Sequence, residues 1–361
     1  MPTQKALIVK EIGGRVVEVS DWPIAQPGPK QVQIRVTVAG LNPHDQKGRD
    51  GGLFIKDNLP AILGNDVAGV VTEVGSEVTK FKVGSEVTKF KVGDRIFAQS
   101  AIDAVYRGKA LQQYALVEED HAAKIPNGIS EHGAATLPIN AITAVVALFH
   151  PTAGLGLPAP WTEEAKTFDY AGTTLLIIGG GSNCGRFGIQ VAKLAGIGKI
   201  VVVGGKESEL KPWGATHVLD RHGGDDVVLK RIRDVAGDDL VYAYDCINGP
   251  DKQYLGVSAL SNTKKGKLAR ALPSGPIDES KILGGREEAS YELADVFGAS
   301  HLKAETTKPF WDRVGEYLKD GQIVPVPYVV EEGLDADKVN ALLDRYRDGK
   351  PVTQTQFRIS E

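Results

Sequence analysis

The sequence predicts an α/β chain in two parts, a small β-barrel-like domain followed by a doubly wound parallel sheet. Residues 5–124 read as short β-rich runs split by Gly, Pro and Asn, including KALIVKEI, VQIRVTVAG, DVAGVVTEVG, DRIFAQ and QYALVEE. That is the texture of a barrel or sandwich, with no long helix. Beyond Pro138 the texture changes. INAITAVVALF reads as a buried helix, and strands then alternate with helical stretches: TTLLIIGGG, GRFGIQVAKLAG, KIVVVGG, ATHVLD, DVVLKRIRDVAG, LVYAYDC, GKLARALP and DVFGASHL. Alternation of this kind builds a parallel sheet covered on both faces. The tail, PFWDRVGEYLKDGQI and VNALLDRYRDGKPVTQTQFRI, adds two amphipathic helices and a last strand, expected to pack back onto the first domain. The expected boundaries are 1–137 with 305–361 for the first domain and 138–304 for the second.

A chain of 361 residues with 42% hydrophobic content has enough apolar side chain for two cores. Its 42 basic and 46 acidic residues nearly cancel, for a net charge of −4. That balance gives no footprint for nucleic acid or an anionic membrane and points to small-molecule partners. The start, MPTQKALIVKEIGG, lacks a basic segment before an apolar core. No run is read as approaching the roughly 20 apolar residues of a membrane span, so a cytoplasmic location is expected. The cysteines are Cys184 and Cys246 alone, which excludes a disulfide framework and a four-cysteine zinc lobe.

GSEVTKFKV occurs twice in succession, at 75–83 and 84–92. One copy suffices to connect the flanking strands, and loop closure entropy grows slowly with length. The duplication therefore reads as a lengthened hairpin or a sequence-level artefact.

LLIIGGGSNCGRFGIQVAKLAG places a strand, a glycine turn and a helix in succession, the context in which a glycine motif signals a dinucleotide. Gly179, Gly180 and Gly181 form the turn, Gly185 lets the helix pack closely, and Ser182 and Asn183 add donors. The pyrophosphate faces the helix N-terminus. About 20 residues on, an NAD site carries an acidic residue for the ribose 2′-hydroxyl. Here VVVGGKESE ends its strand in Gly204, Gly205 and Lys206, leaving room and positive charge for a 2′-phosphate. Arg221 is a second cationic candidate. Glu207 is the dissenting residue, a possible ribose acceptor, so NADP is the expected cofactor against that objection.

AGLNPHDQKGRDGG, PAILGNDVAGVV, VGDRIFA, QQYALVEE, ATLPINAITA and GIQVAKLAG occur in this order. With these segments the chain resembles the medium-chain dehydrogenase/reductase superfamily over nearly its whole length. The likeness is to its zinc-free quinone and enoyl reductases, and in the Lys47 region to fungal trans-acting enoyl reductases. The resemblance implies a GroES-like catalytic domain, a Rossmann domain, and hydride transfer to an activated double bond or quinone. It implies a threonine near the nicotinamide carboxamide at Thr143. Relatives include monomers and homodimers.

Zinc-using members carry a cysteine where this chain has Asn42, and Gly-His-Glu where it has Gly64, Asn65 and Asp66. An amide and a carboxylate replace the thiolate and imidazole of a tetrahedral zinc site. Without that Lewis acid, reduction of a conjugated alkene is favoured over alcohol oxidation, because the charge delocalises into an enolate that needs only stabilisation and a proton. Asn42 is expected to line the site, and Lys47 to hold the substrate carbonyl, contact cofactor or donate the proton. Asp45 is expected to brace the loop. The alternatives are a quinone reductase and a non-catalytic nucleotide-binding member. The segment GLGLPAPWTEEAKTFDY reads as a lid or a surface detour, with the detour favoured.

Overall fold

The structure, a computed structural model, describes residues 2–360 apart from 79, 83, 84, 88, 102–106, 274 and 285–289, with backbone only at 80–82 and 85–87. The chain divides into two compact units: Met1–Ile139 with Ala299–Ala304 and Trp311–Glu361, and Asn140–Gly298 with Glu305–Phe310. The sequence reading had placed the divisions at 138 and 304.

In the first unit the strand Gln31–Leu41 is central. It pairs antiparallel with Asp66–Val74, Tyr114–Glu118 and the C-terminal strand Gln354–Arg358. Arg95–Gln99 and Ala122–Lys124 extend this seven-stranded sheet on one side and Tyr328–Glu332 on the other. A second sheet joins Val16–Pro23, Thr3–Val9 and Ala61–Ile62. Fully buried Leu7, Ile34, Leu41, Ile96 and Phe357 belong to one core, as inward positions of alternating strands should. Tyr328–Glu332 was not foreseen. It is an edge strand with Val329 and Val330 exposed, so its pattern does not alternate as a half-buried strand would.

NPHDQKGRDGG, read from sequence as a loop, is a helix over Pro43–Gly51. The signals were present: Pro at the first turn, Asp45 at N3 with Oδ2 accepting from the Asn42 N–H at 2.8 Å, and Gly52 in the left-handed conformation at φ 77°. Polar composition and two internal glycines masked them.

The tandem copies are used asymmetrically. Lys80–Lys82 and Ser85–Val87 pair as an antiparallel hairpin straddling the copy junction, whose residues 83 and 84 lie outside the described set. The core takes Val78 from the first copy and Phe90 from the second, 2% and 0% exposed. Because the copies are identical, excising nine residues leaves one Val and one Phe in register for the same two core positions. Deleting one copy is expected to change unfolding stability by less than about 1 kcal/mol. A denaturant midpoint shifted well beyond that would show that the hairpin itself is structural.

The second unit holds a six-stranded parallel sheet. In chain order its elements are β1 (Thr174–Ile178), α1 (Asn183–Ala195), β2 (Lys199–Val203), α2 (Glu207–Trp213), β3 (His217–Leu219), α3 (Asp225–Ala236), β4 (Tyr242–Asp245), α4 (Tyr254–Ala259), β5 (Gly266–Arg270) and β6 (Tyr291–Asp295). Strand order is 3-2-1-4-5-6, the doubly wound arrangement with its switch point beside β1. β1 and β2 are buried at four of five positions, hence their continuous apolar runs. The last strand is Tyr291–Asp295, a correction to its placement in DVFGASHL. As an edge strand β6 is half exposed and reads as polar, whereas Gly298 packs closely against Thr143, where a Cβ would lie 2.1 Å from its Oγ1.

The tail helices also differ from expectation, beginning at Ala304 and breaking into Ala304–Trp311 and Val314–Lys319. The stretch Glu131–Phe149 is long and apolar enough to cross a membrane by length and composition, contrary to the sequence reading, and 89% of it is buried inside the protein. The segment around 151–170 buries Leu155, Leu157 and Ala159. Its Trp161 meets Phe149 edge-on with ring centroids 5.6 Å apart and lies tilted against Phe310 at 6.3 Å, and Tyr170 donates to the Pro158 carbonyl. This packing matches a detour sewn into its own unit.

Candidate functional site

The C-terminal ends of β1, β2 and β4 in the second unit open on a cleft of about 880 Å³, the place where open parallel sheets bind ligands. Gly179, Gly181, Ser182, Lys206 and Arg221 line it. Ser182 is the N-cap of α1. Its Oγ accepts from the Gly185 N–H at 3.0 Å and donates to the Gly179 carbonyl at 2.8 Å, which ties the turn to the helix. Gly179 is left-handed at φ 93°. A Cβ on Gly180 would lie 2.1 Å from Val202 Cγ1, and one on Gly185 would lie 2.3 Å from the Gly179 carbonyl oxygen. Gly180 and Gly185 therefore act behind the lining, holding strand, turn and helix at a spacing no side chain permits. The resulting cradle of backbone at the helix N-terminus suits a pyrophosphate.

Two sequence candidates fall elsewhere. Asn183 is the first residue of α1, and its Oδ1 accepts from Arg186 at 3.1 Å. Thr143 lies on the Pro138–Phe149 helix beside Gly298 and is not among the cleft residues.

At the far side of the turn Gly204 and Gly205 adopt φ 79° and 96°, and the Arg221 side chain passes 3.5 Å from where a Gly204 Cβ would be. Lys206 precedes α2 as its N-cap, and both cations are exposed at the cleft. Glu207, the dissenting residue, does not line it. Its carboxylate forms an i,i+4 ion pair with Lys211 along α2.

In the first unit, Asp66 is completely buried at the start of its strand, opposite Gly40 and Gln99. Its Oδ2 accepts from Asn42 Nδ2 at 2.7 Å and its Oδ1 from the Ile139 N–H at 2.7 Å. Burial pushes its carboxyl up to about 7, with the two hydrogen bonds pulling the other way and Asp45 adding repulsion. Asp45 spans the Asn42 and Gly64 amides, at 2.8 and 2.9 Å. Asn65 donates to the Ser100 carbonyl, and its Oδ1 accepts from the buried Lys109 ammonium at 3.2 Å. Lys47 projects from the same helix into solvent. Among the described residues, no group of three or more His, Cys, Asp or Glu side chains is arranged to hold a metal ion.

Residues 28–127 match the alcohol dehydrogenase GroES-like domain. The dehydrogenase orsE of Emericella nidulans is 30% identical to this chain, over 94% of it and 95% of that protein. The chain belongs to the medium-chain dehydrogenase/reductase superfamily. The trans-enoyl reductase tndF of Aspergillus flavipes is 29% identical over 97% of each. A solved mycobacterial structure complexed with NADPH shares the fold, with TM-score 0.70 and 21% identity over 98% of this chain and 99% of that one. The protein is an oxidoreductase of that superfamily.

For an oxidoreductase of this superfamily the sequence reading missed several cleft residues. His222, Asp225, Asn248 and Lys252 also line it. Asn248 is fixed by an Asx turn after β4: buried Asp245 accepts from the Ile247 and Asn248 N–H groups and from Asn248 Nδ2. An Asp-x-x-Asn pattern closing a strand was the available signal. Below the turn the two cysteines meet the buried Tyr244 hydroxyl. Burial pushes the Cys246 thiol well above its ordinary value, with neighbouring Cys184 and Asp245 adding to the effect. Nothing in 244–246 or 184 alone announces that meeting.

Proposed function

We propose that the protein is a zinc-independent, NADPH-dependent reductase of an activated C=C bond, in an enone or an enoyl thioester. The observation that carries the cofactor is the rim of the cleft. Gly204 and Gly205 leave space there, Lys206 and Arg221 supply positive charge, and the nearby carboxylate of Glu207 is engaged with Lys211 outside the lining. The NADPH-bound mycobacterial relative and the trans-enoyl reductases support the reading. The cradle at Gly179–Ser182 fits a pyrophosphate. When bound, NADPH supplies the hydride.

The chain's own residues do the rest. Ser182 and the amides of α1 orient the phosphates, and Lys206 with Arg221 holds the 2′-phosphate. In the first unit an amide and a buried carboxylate stand where zinc-using members have ligands. Asn42 lines the substrate site with its amide aimed by Asp66, and Lys47 stabilises the developing enolate oxygen or returns the proton to the α-carbon. The substrate is a small molecule, and the expected location is cytoplasmic.

The test is NADPH oxidation against a panel of enones, enoyl thioesters and quinones, with bound metal measured in parallel. Turnover confined to quinones would replace the substrate assignment, and stoichiometric zinc needed for turnover would remove the metal-free reading. Arg221→Ala with Lys206→Ala is expected to raise the KM for NADPH by about 10- to 100-fold and leave that for NADH within about threefold. Both cations are solvent-exposed, so the pair together contributes about 1.5–3 kcal/mol, which converts to that range. Equal losses with both cofactors would sink the 2′-phosphate assignment.

A further inference from the structure

We propose that His222, held by Asp220, is a third and proton-dependent contact for the cofactor's 2′-phosphate, so that the preference for NADPH over NADH is graded by pH. This deepens the NADPH reading above and rests on it.

The turn between β3 and α3 is unusually constrained for an exposed segment. His222 Nδ1 lies 2.6 Å from Asp220 Oδ1, and the His222 N–H donates to the same oxygen at 3.2 Å. Arg231 on α3 reaches back so that its Nη1 donates to the carbonyls of both Asp220 and His222, at 2.8 and 2.5 Å. Its Nη1 also lies 3.8 Å from Asp220 Oδ2. Gly223 and Gly224 follow at φ 107° and 91°, a path that side chains rarely adopt. The turn is thus gripped by a side chain from each end, and it carries Arg221 and His222 together into the cleft beside Lys206. Such pinning serves presentation of these side chains, because neither of them fills a core.

The charged groups at His222 are Asp220 and Arg221 on its own turn and Arg231 from α3, and Asp225, Lys206 and Lys252 line the cleft with it. Asp225 is engaged by the Tyr254 hydroxyl. Asp220 is held below the usual carboxylate range, first by the His222 side-chain hydrogen bond. An ionised Asp220 keeps the proton on Nδ1, so the proton the ring gains or loses is that of Nε2. Protonated, Nε2–H donates to a phosphate oxygen. Deprotonated, it turns a lone pair toward an anion. An imidazolium attracts a phosphate dianion, and that attraction is lost when the ring becomes neutral as pH rises. The ribose hydroxyl of NADH has no charge to feel this change.

The experiment measures Kd for NADPH and for NADH by nucleotide fluorescence at pH 6.5, 7.25 and 8, in wild type, His222→Gln and Arg221→Ala. In wild type the NADPH Kd is expected to rise about five- to tenfold from the lowest to the highest pH, and the NADH Kd to change by less than about twofold. His222→Gln flattens the NADPH trend at the weak, high-pH value. Arg221→Ala weakens NADPH binding throughout and keeps the slope. A slope that persists in His222→Gln, or an NADPH preference with no pH dependence, overturns this inference and leaves the cofactor assignment standing. Equal affinity for both nucleotides at every pH overturns both.

Discussion

Gly185→Ala is expected to weaken NADPH binding by at least about 100-fold. The added methyl would lie 2.3 Å from the Gly179 carbonyl oxygen and 3.0 Å from Gly180 Cα. Both obstacles are backbone, so no rotamer relieves them and either α1 or the glycine turn must move. Overpacking of this kind costs about 1–3 kcal/mol in stability. Binding suffers more than stability, because the displaced parts are the amides and the Ser182 cap that face the phosphates. Nucleotide fluorescence titration and thermal unfolding measure the two effects separately. A variant that keeps NADPH affinity within about threefold would show that the turn does not hold the phosphates.

The second large effect is at Asp66. Asp66→Ala leaves Asn42 Nδ2 and the Ile139 N–H without their acceptor in a site that water does not reach. Each stranded donor costs about 1–3 kcal/mol, so a loss of about 2–6 kcal/mol in stability is expected. A fall of about 100-fold in kcat/KM should follow the released Asn42 amide. Asp66→Asn keeps the shape but only one of the two acceptor oxygens, a loss that is the same at every pH, so the charge is read from the difference between two pH values.

Burial lifts the Asp66 carboxyl from 3.8 to about 7. Between about pH 4 and 7 the native state therefore holds more protons at this residue than the unfolded chain does. By linkage its contribution to stability falls as pH rises through that window and is level above it. Relative to wild type, Asp66→Asn should gain in urea midpoint between pH 5 and 7.5. A difference that is the same at both pH values would count against a proton held there.

The residues named from sequence divide by the distance over which their roles are set. Gly179, Gly181, Ser182, Lys206 and Arg221 reach one cleft, and Gly180 and Gly185 hold it open from behind. All belong to strand–turn–helix units whose geometry is dictated within a few residues. Asn183 and Thr143 were named by position in a motif, and their side chains turn to Arg186 and Gly298. His222 was overlooked beside Arg221 because its value depends on Arg231, nine residues away on α3. The Pro43–Gly51 helix was misread despite a proline, an Asp at N3 and a C-terminal glycine, since its polar surface gave no apolar period.

By itself the sequence determined the two-part α/β architecture and the glycine cradle on a helix N-terminus. These follow from side-chain period and backbone freedom at glycine, both of which act locally. Only the tertiary structure decided that Asp66 would be dry and bonded to residues 24 and 73 positions away. It likewise decided that the edge strand would be Tyr291–Asp295, and that one core would draw Val78 and Phe90 from different copies of the same nine residues. Burial and pairing between distant segments are properties of the packed chain. The proton affinity of Asp66 is one of them, because it is set by how much water the fold removes.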